Sequence, residues 1–141
     1  MVRLHGETAR IKILKVNKTI AFGKVLEILK KSSIRVEADC ESYPKCGGCN
    51  LRHIEYKASL EMKKKAVQNT LRKALGREVK IEEIIGMDNP CYYRNKLQYP
   101  VGVGPVMGVF AKRSHRIIPI SDCKIQNKEC QKVAEDVFEF I

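Results

Sequence analysis

Apolar and polar positions along the chain change period several times. From position 8 to 38, TARIKILKVNKTIAFGKVLEILKKSSIRVEA alternates in short runs that break at Asn17-Lys18 and again at Lys31-Ser32-Ser33. Ile11, Ile13, Ile20, Phe22, Val25, Ile28 and Ile34 are strand-favouring residues, and Lys12, Lys15, Lys24 and Lys30 fall between them. The pattern predicts three strands of a small antiparallel sheet or barrel. Three strands do not close a barrel, so the expectation is an incomplete one.

Positions 54–75, IEYKASLEMKKKAVQNTLRKAL, switch to helical spacing, with Leu60, Val67, Leu71 and Ala74 on one face and Gly76 as a stop. VKIEEIIG reads as a short strand and turn. Asn89-Pro90 then breaks the chain before CYYRNKLQYPV, whose alternation predicts a strand. VGVGPVMGVFAKRSHRIIPIS reads as a hairpin with its turn at positions 102–105, one strand through Val109 and another at positions 116–120. Positions 127–141 read as an amphipathic helix, with Cys130, Val133, Val137 and Ile141 on its apolar face and Cys130 as core filler. The fold class is therefore α+β, a partial antiparallel barrel over positions 1–38 followed by an α+β region over 39–141. The second region holds a helix at 54–75, a sheet at 79–120 and a C-terminal helix at 127–141.

Charge narrows the function. With 27 Lys and Arg against 16 Asp and Glu, the formal net charge is +11, which favours a polyanion such as nucleic acid over a small neutral substrate. No apolar run is long enough for a membrane span or signal peptide, so a cytoplasmic location without membrane association is expected. In a reducing compartment, six cysteines read as ligands, catalysts or small hydrophobes before disulfides.

Cys40, Cys46 and Cys49 form C-x5-C-x2-C, with Gly47 and Gly48 inside the close pair, where backbone N–H groups can point at sulfur. Three thiolates leave a tetrahedral site one ligand short. Zinc closed by His53, an iron-sulfur cluster closed by Cys91, Cys123 or Cys130, and three metal-free thiols all satisfy this spacing. Cys123 ends a strand in SDCKIQ, a position from which a ligand can reach across.

These motifs resemble the N-terminal part of the iron-sulfur RNA (uracil-5-)-methyltransferases, which modify ribosomal and transfer RNA. CESYPKCGGCNLRHIEY is similar to that family's cysteine cluster, YYRNKLQYPV to its Tyr-Arg-Asn-Lys strand, and GVFAKRSHRIIPISDCKIQ to the segment carrying its fourth cluster cysteine. Gly108-Val109-Phe110 departs from the family's Gly-Phe-Tyr. The resemblance implies a [4Fe-4S] cluster on Cys40, Cys46, Cys49 and Cys123, and it makes positions 6–38 the later strands of a TRAM domain, an RNA-binding barrel of oligonucleotide-binding type. It also implies RNA as partner, ribosomal ahead of transfer RNA. Its S-adenosylmethionine-binding catalytic domain has no counterpart in these residues, so the chain alone is expected to bind RNA and to methylate nothing. No catalytic residue is assigned.

Arg94 and Lys96, two apart on the expected strand beside Tyr92, and Lys112, Arg113, His115 and Arg116 near the hairpin are the candidate RNA contacts. The plain alternative for each is a solvated basic face. Lys63, Lys64 and Lys65 are a weaker candidate of the same kind. The competing functional class is a stand-alone zinc-binding RNA-interaction module.

Overall fold

The computed structural model describes residues 3–43 and 45–140, so the expected place of Ile141 on the last helix lies outside the described residues. The chain divides into two compact units, Met1–Val36 and Glu37–Ile141, against the expected boundary after position 38. No helix among the described residues is long and apolar enough to cross a membrane.

The first unit is a two-stranded antiparallel ribbon, β1 (Thr8–Val16) against β2 (Ala21–Lys30). Asn17 N–H donates to the Ile20 carbonyl at 2.8 Å and closes the connecting turn. Register shifts at three places in β1 let the strand twist. The expected third strand does not form among the described residues, and there is no closed barrel. The cause is local. Arg35 N–H donates to the Ser32 carbonyl at 3.1 Å, making a turn where Ile34 was expected to extend.

The buried Glu7 carboxylate holds that turn. Its Oε2 accepts from Leu4 N–H at 2.8 Å, its Oε1 from Ser32 N–H at 3.2 Å, and the Arg35 guanidinium grips both oxygens. The hydrogen bonds from Arg35 lower the Glu7 pKa to about 2, against the desolvation that opposes ionisation; the Leu4 and Ser32 amides add to the lowering.

The second unit carries α1 (Tyr56–Leu75), β3 (Val101–Gly102), β4 (Val106–Phe110), β5 (Ile117–Pro119) and α2 (Lys128–Phe140). Helix α1 ends as expected at Gly76, left-handed with φ 66°, whose N–H donates to the Arg72 carbonyl at 3.0 Å. Its expected apolar face is only partly covered: Leu60 and Leu71 are half-buried, whereas Val67 and Ala74 are exposed.

Positions 79–86, expected as a strand, form no regular element. This stretch runs against α1 instead. The Tyr56 hydroxyl accepts from Met87 N–H at 2.8 Å, Lys64 Nζ donates to the Glu82 carbonyl at 3.1 Å, and a Cβ added at Gly86 would meet Leu60 Cδ1 at 2.7 Å. The expected strand at 91–101 is likewise reduced to a bridge between Arg94 and Gln126, because its hydrogen bonds go to the irregular segment 124–127. The sheet of this unit therefore covers β3-β4-β5 rather than 79–120.

The hairpin appears where the pattern put it. β4 pairs antiparallel with β3 and with β5, and Gly104 takes φ 81° in the first turn. Gly108 opposite Pro119 has no room for a side chain, since a Cβ there would lie 1.9 Å from the Ile118 carbonyl oxygen. Cys46, Val109, Ala111 and Ile118 form the buried core, with Leu97 and Ile120 packed against them. Helix α2 is capped by Asn127, whose Oδ1 accepts from Glu129 N–H at 2.9 Å. Its apolar face is open: Val133 and Val137 are more than half exposed, and Cys130, expected in the core, is exposed as well.

Candidate metal centre and nucleic-acid surface

The cysteine loop is a folded turn rather than a strand. Tyr43 N–H donates to the Cys40 carbonyl at 3.1 Å and Cys46 N–H to the Ser42 carbonyl at 2.8 Å, which turns the chain so that Cys46 enters the core. Cys46 also bridges Ala111, Gly47 N–H donates to the Phe110 carbonyl at 3.0 Å, and Lys112 N–H to the Lys45 carbonyl at 3.0 Å. The loop is thereby stitched to the end of β4. Of the two glycines, Gly48 directs its N–H at sulfur, 3.2 Å from Cys46 Sγ, while that of Gly47 serves the strand.

Cys123 arrives from the other end of this unit. Its N–H donates to Gln131 Oε1 at 3.1 Å, and Gln131 Nε2 donates to the Ser121 carbonyl. The buried Gln131 of α2 thus brackets the Cys123 loop from both sides. The period of α2 gave no sign of this role, because a lone glutamine in an amphipathic helix reads as surface.

Cys40, Cys46, Cys49 and Cys123 line one small cavity, together with Arg52 and Arg94. Burial raises the Cys49 thiol pKa; Arg52 works against that, and the charges of Cys46, Cys123 and Cys40 each push it further up. Among the described residues, however, no group of three or more His, Cys, Asp or Glu side chains is arranged to hold a single metal ion.

Cys91 and Cys130 do not line this cavity, although Cys91 neighbours Arg52, which does. Cys91 Sγ lies 3.8 Å from an Arg52 guanidinium nitrogen and Cys130 Sγ 3.9 Å from the Asn95 carbonyl oxygen. His53 is buried, pairs through Nδ1 with the Tyr43 hydroxyl, and is not among the residues lining the cavity. Arg52 is oriented by Asp39, which accepts from its Nε at 2.6 Å; that bond raises the Arg52 pKa and lowers that of Asp39. The buried Tyr99 hydroxyl has no hydrogen-bond partner among the described residues, and its pKa is raised to about 12, first by burial and then by the charge of Cys123.

The candidate RNA contacts separate into two places. Arg94 is half-buried in the wall of the cysteine cavity, while Lys96 is exposed. Lys112, Arg113, His115 and Arg116 occupy the β4–β5 turn, held by Ala111 N–H donating to the Arg116 carbonyl at 2.8 Å. Arg113, His115 and Arg116 are exposed, and Lys112 Nζ stands 5.2 Å from the centre of the Tyr43 ring.

No family model matches the chain. A Clostridium tetani protein named "Uncharacterized RNA methyltransferase" is 44% identical over 139 residues, 96% of this chain and 30% of its own length. A Halalkalibacterium halodurans protein of the same description is 43% identical over 141 residues, 96% of this chain and 31% of its own. One from Staphylococcus aureus is 44% identical over 139 residues, 95% of this chain and 31% of its own. Over nearly its whole length, this chain is similar to proteins named RNA methyltransferases. It spans about 30% of the length of those relatives.

Proposed function

We propose that this chain is the RNA-binding, [4Fe-4S]-bearing N-terminal portion of an S-adenosylmethionine-dependent RNA uracil-5-methyltransferase, with ribosomal RNA as substrate. The observation that carries the reading is the convergence of Cys40, Cys46, Cys49 and Cys123 on one cavity. A single zinc ion draws every sulfur to about 2.3 Å from one point. A four-iron cube meets each thiolate at a different corner and so accepts a wider set of sulfurs. The choice of the cube over the ion rests on the likeness of the cysteine loop and of SDCKIQ to the family's cluster segments, and the shared cavity accommodates it.

The cluster's part is structural: it ties the loop at 40–49 to Cys123 across a long stretch of chain and fixes the sheet between them. Arg52 offsets thiolate charge, and Gly48 N–H donates to sulfur, as expected around a cluster. The basic β4–β5 turn and Lys96 would hold RNA phosphates. The remaining length of such a protein would carry methyl transfer to a uridine taken out of the RNA fold.

Anaerobic purification tests this directly. The expected product is brown, with about four irons and four sulfides per chain, and it binds single-stranded RNA with an affinity that falls steeply with salt. Colourless protein with one zinc per chain would instead favour a zinc-binding RNA module.

A further inference from the structure

Beside the cysteine cavity lies a second, open cleft of about 560 Å³, within the size range of small-ligand pockets. Leu97 and Val109 form part of its lining and also line the cysteine cavity, so one wall serves both. Gly47 is part of the same wall, and its close approach is required: a Cβ there would sit 3.2 Å from the Phe110 carbonyl oxygen. The cleft is therefore backed by the cysteine loop and by β4, which are hydrogen-bonded to each other.

Its other side is chemically different. Phe110 is 44% exposed, and its ring meets the His115 ring edge-on, centroids 5.4 Å apart at 76°. Arg113, on the same rim, has φ 56°, a left-handed conformation that a non-glycine residue adopts at a cost. Such strain is kept only where the surroundings enforce it, and it gathers at ligand clamps. Here the enforcing bonds are Ser114 N–H to the Ala111 carbonyl at 3.1 Å and Arg116 N–H to Ser114 Oγ at 3.2 Å.

We propose that this cleft takes one unstacked nucleotide of single-stranded RNA. Its base lies on the exposed Phe110 ring beside His115, Gln98 and Ser114 offer polar contacts to the base edge, and Arg113 meets the phosphate. An exposed aromatic next to a strained arginine, on an apolar wall in a chain of net charge +11, matches what single-stranded bases need: a stacking face, hydrogen-bonding groups and a cation. The proposal rests on the RNA-binding reading above and adds to it a base-reading site distinct from phosphate attraction.

The test compares binding of the full chain to a short mixed-sequence RNA and to the same oligomer with its bases removed. Wild-type protein is expected to bind the base-bearing oligomer about tenfold more tightly. Phe110→Ala should abolish that preference, Phe110→Tyr should keep it, and both should retain the same salt dependence. Should Phe110→Ala fail to fold, His115→Ala at an exposed position is expected to reduce the preference. Arg113→Ala should weaken both oligomers alike and flatten the salt dependence. Equal affinity of wild-type protein for the two oligomers overturns the base site and leaves RNA binding standing. Binding of neither overturns the RNA reading itself.

Discussion

The ribbon of the first unit and the cysteine-centred second unit stand on different physics. In the ribbon, eight large apolar side chains, among them Ile11, Leu14, Val16 and Leu29, are more than half exposed, so burial contributes little. Its fixed point is a buried carboxylate with four donors around it. The second unit has an apolar core, but one of its four members is Cys46 and the wall beside it is a set of thiols. One unit is anchored by an ion pair and the other, in the proposed reading, by a cluster on its sulfurs, so each anchor should be removable separately.

Removing the proposed cluster should have the largest effect. Chelation of iron from the purified chain is expected to lower the melting temperature of the second unit by more than about 10 °C, while β1 and β2 keep their hydrogen-exchange protection. Equal loss in both units would contradict separate anchors.

Glu7→Gln comes next. It leaves the Arg35 guanidinium without its charge partner, and an expected loss of about 3 kcal/mol should appear as faster exchange in β1 and β2 alone. Acid should do the same to the wild type. The folded pKa of Glu7, about 2, lies below the ordinary glutamate value of 4.5, so its contribution is complete above about pH 4.5 and is lost as pH falls toward 2. A ribbon whose protection factors are unchanged between about pH 5 and about pH 3, roughly the range in which the linkage acts, would contradict the clasp.

Gly108→Ala strikes the second unit through packing. The added methyl meets backbone at Ile118 rather than a side chain that can turn away, so about 2 kcal/mol of destabilisation is expected by chemical denaturation. Smallest is Lys12→Ser. Lys12 faces Lys24 across the ribbon, and relief of that like-charge pair should stabilise β1–β2 by about 0.5 kcal/mol in chemical denaturation.

The elements most legible in sequence were those fixed by local signals. Helix α1 with its glycine stop and the hairpin around Gly104 followed from period and turn chemistry. The third strand near Ile34 and the strands at 79–86 and 91–101 did not form, because their backbone groups were claimed by partners that periodicity cannot show: Glu7, helix α1 and segment 124–127. The same limit applied at the site. Spacing pointed to Cys40, Cys46 and Cys49 and left three candidates for the fourth ligand, among which the turn in SDCKIQ and the family resemblance favoured Cys123. Arg52 and Gln131, which orient and hold the loops, carry no local signature. Arg94 was read as an RNA contact from strand alternation, yet it stands in the cavity wall beside the cysteines.

In the proposed reading, Cys123 completes a site begun at Cys40. Iron content of anaerobically purified Cys123→Ser, measured beside Cys91→Ser and Cys130→Ser, tests it most directly. Loss of the cluster in the first variant alone is the predicted result, and full iron in Cys123→Ser with loss in either of the others would contradict it.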